Sequence, residues 1–405
     1  MGRICFICQT FHPDTQATSQ LFSDLLAALA TRGRDYEVLA GFPAGRMDGS
    51  CPRKELWQGV SIRRGGLRVD SKRNLAFRAL GYFSYCLWLA IRLLSLTPAS
   101  TRILVTTNPP FAPIIVFLCS LLRGWRYDVV LLDIYPDGLV QLGQLRDRNV
   151  VTSLWRNLNR RAWMAAGRVQ VLGRDMARLC NSRYGIPEAK LVWTPHWSSV
   201  VVMARRKPEA TASWRRLGLD GLFVVQYSGN MGLWHDIDAI VKAADILRED
   251  SHIHFLMIGD GRRRSAAERL SAKLRLENMT WLPYQAREEL DDSLSCCQAA
   301  LISQRAGLVG VAVPCKLYGI LAAGRAIIAQ VPADSEVALT VQEECCGVVV
   351  PPGDAESLAN AVLSLSGDRA TTDAMGARAF SAYKNRYSIE VAVNRFDDLL
   401  ADTHV

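Results

Sequence analysis

Twice along this chain, short apolar runs that end in Gly, Pro or a polar residue alternate with segments of helical period, and that alternation predicts parallel α/β architecture. In the first half the spacing predicts strands near 3–9, 36–41, 102–106, 127–132, 167–172 and 190–194, with "GVSIRRGG" (59–66) adding another. Helices fall near 18–32, 75–96, 111–123, 149–165 and 173–183. The pattern then breaks over "VWTPHWSSVVVMARRKPEATAS" (192–213), which collects Pro, Ser and basic residues as a linker does. It restarts with "LFVVQYSGNMG" (222–232), "HFLMIGDG" (254–261), "MTWLPY" (279–284), "AALIS" (299–303) and "AIIAQVP" (326–332). At 405 residues the chain is too long for one ordinary core and suits two domains of about 200 residues each. The expected division is 1–197 and 198–405, with a last helix near 388–401 packing back on the first domain.

Charge separates the halves. Residues 1–200 hold 26 Lys and Arg against 13 Asp and Glu, whereas residues 201–405 hold 22 against 26. A basic first domain suits nucleic acid, an anionic membrane or an acidic substrate. The aromatic–basic interleaving of single-strand binders is missing, so nucleic acid is not expected. Instead "FRALGYFSYCLWLAIRLLSL" (77–96) and "FAPIIVFLCSLLRGWR" (111–126) pair apolar helix with arginine, and Arg68, Lys72, Arg73 and Arg78 cluster around the first. The longest uncharged run there, 79–91, is too short to span a bilayer. Two readings stand: interfacial anchors on an anionic membrane surface, or buried core helices. The start "MGRICFICQTFHP" lacks a signal-peptide pattern, so the expected place is cytoplasmic, peripheral on the inner face of the membrane. Eleven cysteines are an odd set for a disulfide framework, and Cys5 and Cys8, on opposite faces of a strand, read as buried hydrophobes.

Ligands of parallel sheets bind beyond the carboxyl ends of the strands, so the terminal residues matter most. "YSGNMG" places Gly229, Asn230 and Gly232 between a strand and a helix, where glycine lets backbone approach a ligand and free N–H groups favour an anion; a plain turn is the alternative. "MIGDGRRR" repeats the strand–glycine pattern at Gly259, followed by three arginines that either meet phosphate or form a solvated face. In "VPCKLYGILAAGRAII", Pro314 opens a helix that runs to about Ala323 and closes at Gly324. Lys316 therefore stands in the first turn, where a cation opposes the helix dipole unless an anionic ligand joins it. The alternative is a lysine reaching to solvent.

These strings, in order, with "TFHPDTQATSQLFSDLLAALATRGRDYEVLAG", "TTNPPFAPI", "LLDIYPDGLVQLG", "VQVLGRDMARL", "KLVWTPHW" and "GVVVPPGDAESLANAV", resemble glycosyltransferase family 4 over nearly the whole chain. The subgroup it resembles builds bacterial surface polysaccharides or lipid-linked oligosaccharides. The resemblance implies a GT-B fold, two Rossmann-like parallel-sheet domains facing a central cleft. It implies retaining transfer of a hexose or acetamido-hexose from a nucleotide-diphosphate sugar to a lipid-linked or other glycan acceptor. Donor contacts would come from Gly229, Asn230, Gly232, Gly259, Arg305, Pro314, Lys316 and Leu317, with the base near 281–284. No metal or other cofactor is expected, the leaving diphosphate being met by Lys316, Arg305 and a helix dipole. For the acceptor the first domain offers His12, Asp14, Thr15 and Asp137, with Asp133 as a catalytic or orienting carboxylate; His12 reads equally as a loop-structuring residue and Asp133 as an N-cap. The chain departs from the family where two glutamates are usual, at Val311 and Gly319. It departs again where Arg and Lys are usual, at Asn230 and His235, and Leu132 stands where a histidine is usual. The alternatives to transfer are a GT-B nucleotide-sugar 2-epimerase and a non-catalytic membrane or nucleotide-sugar binding protein.

Overall fold

The computed structural model describes residues 3–43, 51–68, 75–96 and 101–401. Lys72 and Arg73 of the basic cluster, and the side chain of Arg78, lie outside what is described. The chain divides into two compact units: Met1–Pro195 with Gly310–Ala312 and Ala392–Val405, and His196–Val309 with Val313–Val391.

The first unit runs β1 (Arg3–Ile7), α1 (Ala17–Ala30), β2 (Tyr36–Ala40), β3 (Lys54–Trp57), β4 (Val60–Arg64), α2 (Leu75–Leu94), β5 (Thr101–Thr106) and α3 (Ala112–Arg123). It continues with β6 (Tyr127–Leu131), α4 (Asp137–Gln141), α5 (Val150–Ala165), β7 (Val169–Val171), α6 (Arg174–Tyr184) and β8 (Leu191–Trp193). The eight strands form one sheet in the order β3-β4-β2-β1-β5-β6-β7-β8, parallel except for β3. That edge strand was not expected; it pairs with β4 through a two-residue turn at Gln58 and Gly59, both at positive φ, as tight hairpins require. The inner strands β1, β2 and β6 are apolar because both their faces are covered.

Part of the basic excess is consumed inside this unit. Glu37, buried on β2, takes Arg3 at 3.1 Å, Arg92 at 3.4 Å and Arg63. Asp128 takes Arg102 at 2.6 Å. The two readings of residues 77–96 both describe α2, one on each side of it. Tyr85, Leu89 and Leu93 are buried, with Tyr85 Oη donating to Leu39 O at 2.9 Å, whereas the opposite stripe of apolar side chains is exposed.

The second unit begins with α7 (Ala212–Leu217) and β9 (Phe223–Ser228), then α8 (Ile237–Ile246), β10 (Ile253–Ile258), α9 (Arg264–Leu274), β11 (Met279–Leu282), α10 (Leu290–Leu294) and β12 (Ala299–Ser303). It goes on through α11 (Lys316–Ala323), β13 (Ala326–Gln330), α12 (Glu336–Glu343), β14 (Gly347–Val350), α13 (Ala355–Gly367) and α14 (Arg369–Ala382). A final helix, α15 (Ile389–Ala401), belongs from Ala392 onward to the first unit. The sheet is wholly parallel, ordered β11-β10-β9-β12-β13-β14. Side chains alternate across it. Phe223, Val225 and Tyr227 join the core beside Ile240 and Leu358, while Val224, Leu256 and Ile258 join the core with Leu317, Tyr318 and Leu321 of α11. Strand order reverses between β9 and β12, which makes their carboxyl ends the crevice of the sheet. None of the eleven cysteines forms a disulfide, and Cys5 and Cys8 are buried.

Candidate functional site

The second unit gathers most of the expected donor residues at that crevice. Gly229 follows β9 at φ 130° and Gly259 follows β10 at φ 129°, a region that disfavours any side chain. The turns touch closely: a Cβ on Gly259 would lie 2.0 Å from the Gly229 carbonyl oxygen. Gly229 N–H donates to Ile258 O at 2.9 Å and Met231 N–H to Asp260 O at 2.8 Å, which locks the two turns together. Of the three arginines after Gly259, Arg263 pairs with Asp238 at 2.6 Å. Arg264 donates to the carbonyls of Gly259 and, at 3.0 Å, Leu282, and pairs with Glu268 at 2.8 Å. Both therefore fasten the turn, and only Arg262 is exposed.

α11 starts at Lys316 with Cys315 as N-cap, so Pro314 precedes the helix rather than opening it. The helix ends at Gly324 in the left-handed conformation. Leu317, expected at the donor, is fully buried in the core, where its side chain anchors the helix; only Lys316 of that pair turns toward the glycines. The Lys316 ammonium lies 3.6 Å from the centre of the Tyr227 ring, against Gly229, where an added Cβ would meet Cε at 3.5 Å. It is shut off from solvent and has no hydrogen-bond partner among the described residues, and burial lowers its pKa to about 7.

His235, which stands where the family has a lysine, is lowered to about 3 by burial and by the nearby Lys316 charge, and so is neutral. Its Nδ1 lies 2.8 Å from the Ser303 carbonyl, which only accepts, so Nδ1 carries the proton and Nε2 keeps a lone pair. Arg305 N–H donates to Trp234 O at 3.0 Å, while its guanidinium is exposed and unpaired among the described residues. Asn230 is exposed at the tip of the first turn, and its amide closes over Gly232. Of the aromatic pair at 281–284, Trp281 turns away to Ser271 Oγ at 3.3 Å, whereas Tyr284 is half-exposed with its hydroxyl 3.4 Å from Asp260 O. The sequence reading did not single out Tyr227 as the lysine's platform or Arg264 as the clamp; neither role has a local signal, since each depends on strands paired in space.

In the first unit, loops at the carboxyl ends of β1, β5 and β6 are tied together. Thr107 Oγ1 accepts from Leu132 N–H at 2.9 Å and Asp133 N–H at 3.2 Å, and Asn108 Nδ2 donates to Thr10 Oγ1 at 2.7 Å. Asp133 is raised to about 6 by burial. It is not an N-cap, because the next helix begins at Asp137 after Pro136. The His12 ring stacks on Trp57 at 4.2 Å, and its carbonyl accepts from Arg64 at 2.7 Å. Asp14 Oδ1 accepts from Gln16 N–H at 3.0 Å, and Thr15 is exposed. Asp137, expected at the acceptor, is fully buried instead: Arg156 at 2.9 Å, Arg183 at 2.6 Å and the Tyr184 hydroxyl occupy its oxygens, which bind α4 to α5 and α6.

Residues 223–368, the part of the second unit that carries the glycine turns and Lys316, match the family model described as Glycosyl transferases group 1. Over those residues the chain carries a glycosyl transferases group 1 domain. The chain is 23% identical over 81% of its length to 81% of the probable glycosyltransferase WbjE of Pseudomonas aeruginosa. It is 27% identical over 38% of each chain to the putative colanic acid biosynthesis glycosyl transferase WcaI of Escherichia coli K12. Among solved structures, sucrose-phosphate synthase of Thermosynechococcus elongatus superposes with a TM-score of 0.75 over 99% of this chain and 98% of that one, at 15% identity. Anabaena HepE in complex with UDP and glucose gives 0.68 over 99% and 100%, at 13% identity. The chain thus has the GT-B pair of parallel-sheet α/β domains.

Proposed function

We propose that the chain is a retaining, family 4-type glycosyltransferase that moves a hexose or acetamido-hexose from a nucleotide-diphosphate sugar to a lipid-linked or other membrane-associated acceptor in glycan biosynthesis. One observation carries this reading: a lysine ammonium buried without an acceptor, between a glycine turn and the first turn of a helix. A buried donor left unpaired is costly, and a diphosphate supplies the missing oxygens together with a charge suited to the helix terminus. HepE, of the same fold, has been solved with UDP-glucose, and WcaI is named for colanic acid biosynthesis; both support the donor class and the setting.

On this reading the bond between the anomeric carbon and the diphosphate breaks with its electron pair on the phosphate oxygen, where Lys316, Arg305 and the α11 terminus receive the charge. The acceptor oxygen bonds to the same carbon on the same face while its O–H bond breaks and the proton passes to the departing diphosphate oxygen, and Asp133 orients the hydroxyl. The base stacks on Tyr284, and Asn230 and Gly232 line the phosphates. The protein's own cations then serve where other enzymes use a divalent ion, so transfer proceeds without metal.

The test is direct. Calorimetry with UDP-, GDP- and dTDP-sugars identifies the donor, and Lys316→Ala weakens its binding by about 1.5–3 kcal/mol. NMR of the product shows a retained anomer, and chelator leaves the rate unchanged. Unaltered affinity in the variant, an inverted product, or activity restored only by magnesium overturns the reading.

A further inference from the structure

The first unit exposes apolar surface on three neighbouring helices. On α2, Leu80, Phe83, Leu87, Ile91 and Leu94 fall three or four residues apart and form a single exposed stripe, opposite the buried stripe of Tyr85, Leu89 and Leu93. α3 packs between α2 and α5 and adds Leu118, Leu121 and Leu122, the last 75% exposed. α5 adds Val150, Val151 and Leu154 from its first turn, Val150 at 81% exposure. Isolated exposed leucines are ordinary on protein surfaces, but a face continued over three packed helices is not. None of the three helices contains an Asp or Glu; Arg92 and Arg156 are held by Glu37 and by Asp137 with Asp147, while Arg123, Arg160 and Arg161 are exposed. Among the described residues no helix is long and apolar enough to cross a membrane.

We infer that this three-helix face is the surface by which the protein lies on an anionic lipid bilayer, with α5 as an anchoring element beside the two apolar segments evident in sequence. The inference rests on the proposed function for its consequence, a membrane-borne acceptor, but not for its evidence. Charge selects the occupant. A second copy would set helices that hold arginine and no carboxylate against one another, whereas anionic headgroups answer the exposed Arg123, Arg160 and Arg161 while acyl chains take the leucines. The face also leads inward. Phe111, at the start of α3, stacks on Trp155 of α5 at 4.5 Å, and Trp155 stacks on Tyr135 at 6.3 Å, two residues from Asp133. Aromatic rings of this kind belong at the headgroup level. An acceptor held in the bilayer reaches the Asp133 loop along them without crossing bulk water.

Sedimentation of the full chain with phosphatidylcholine vesicles, and with vesicles of phosphatidylcholine and phosphatidylglycerol at 3:1, tests the assignment. Wild type binds the anionic vesicles, and raised salt weakens the binding. The pairs Leu121→Glu with Leu122→Glu, and separately Val150→Glu with Leu154→Glu, each lower it by about tenfold or more. Circular dichroism and sugar-nucleotide calorimetry verify that each variant is folded. Equal binding by wild type and both variants overturns the inference, as does a concentration-dependent dimer that the variants abolish while vesicle binding is absent at low salt. Failure of the α5 pair alone to weaken binding removes α5 from the face. Loss of sugar-nucleotide binding in Lys316→Ala bears only on the proposed function, so the two fail separately.

Discussion

At the scale of single residues, burial makes Lys316 a group whose charge depends on its ligand. With its pKa lowered to about 7, it is roughly half protonated in the free protein at neutral pH, and on the proposed function a bound diphosphate would restore the charge. The sign follows: binding takes up a proton above pH 7, so affinity falls by up to tenfold per pH unit as pH rises from 7 toward the pKa of the complex. The other groups facing the ammonium do not imitate this. His235 is already neutral, and the Tyr227 and Tyr284 hydroxyls are both raised by burial. Cys315, exposed beside the lysine, is controlled by Cys315→Ser. Calorimetry in buffers of different ionisation enthalpy at pH 8 should register proton uptake in wild type and none in Lys316→Ala. Asp133 behaves oppositely. On the proposed function its carboxyl, raised to about 6 by burial, acts as the anion, so turnover is expected to decline as pH falls through 6. Asp133→Asn removes that limb and lowers kcat about 10²–10⁴-fold with little change in donor affinity; an equal loss in donor affinity would place the residue in binding instead.

Elements set the conditions under which such residues act. The turns after β9 and β10 work because two backbones approach more closely than any Cβ permits, with Arg264 drawing the ends of β10 and β11 together. Gly259→Ala forces a methyl against the Gly229 carbonyl at a φ that strains it, which costs about 1–3 kcal/mol. The expected outcome is a lower melting temperature together with weaker sugar-nucleotide binding, because the Gly229 wall of the lysine site moves; thermal melts and calorimetry on the same preparation decide it. α11 shows the complementary device. Leu317 and Leu321 pin one face in the core, so the first turn holds Lys316 at fixed depth. A helix anchored so firmly holds a cation that the solvent would otherwise draw away.

At the scale of the whole molecule, the repeated strand–helix alternation determined two parallel α/β units, because the apolar period of each segment leaves few ways to cover both faces of a sheet. The ends of α1, α3, α5 and α6 lie within a residue or two of those expected from the periodic pattern. Local sequence likewise marked Gly229, Gly259 and Lys316, since glycine after a strand and lysine at a helix start are visible without partners. Other matters were decided only by tertiary structure. Asp133 and Asp137 stand four residues apart in one motif, yet one is left titratable near 6 and the other is consumed by two arginines and a tyrosine from α5 and α6. Leu317 and Lys316 are neighbours in sequence, but only one points to the glycines. α2 carries large apolar side chains on both its core stripe and its exposed one, so composition does not tell the two apart. In each case the deciding quantity is what lies opposite the side chain in space, and one-dimensional spacing carries periodicity but not partners.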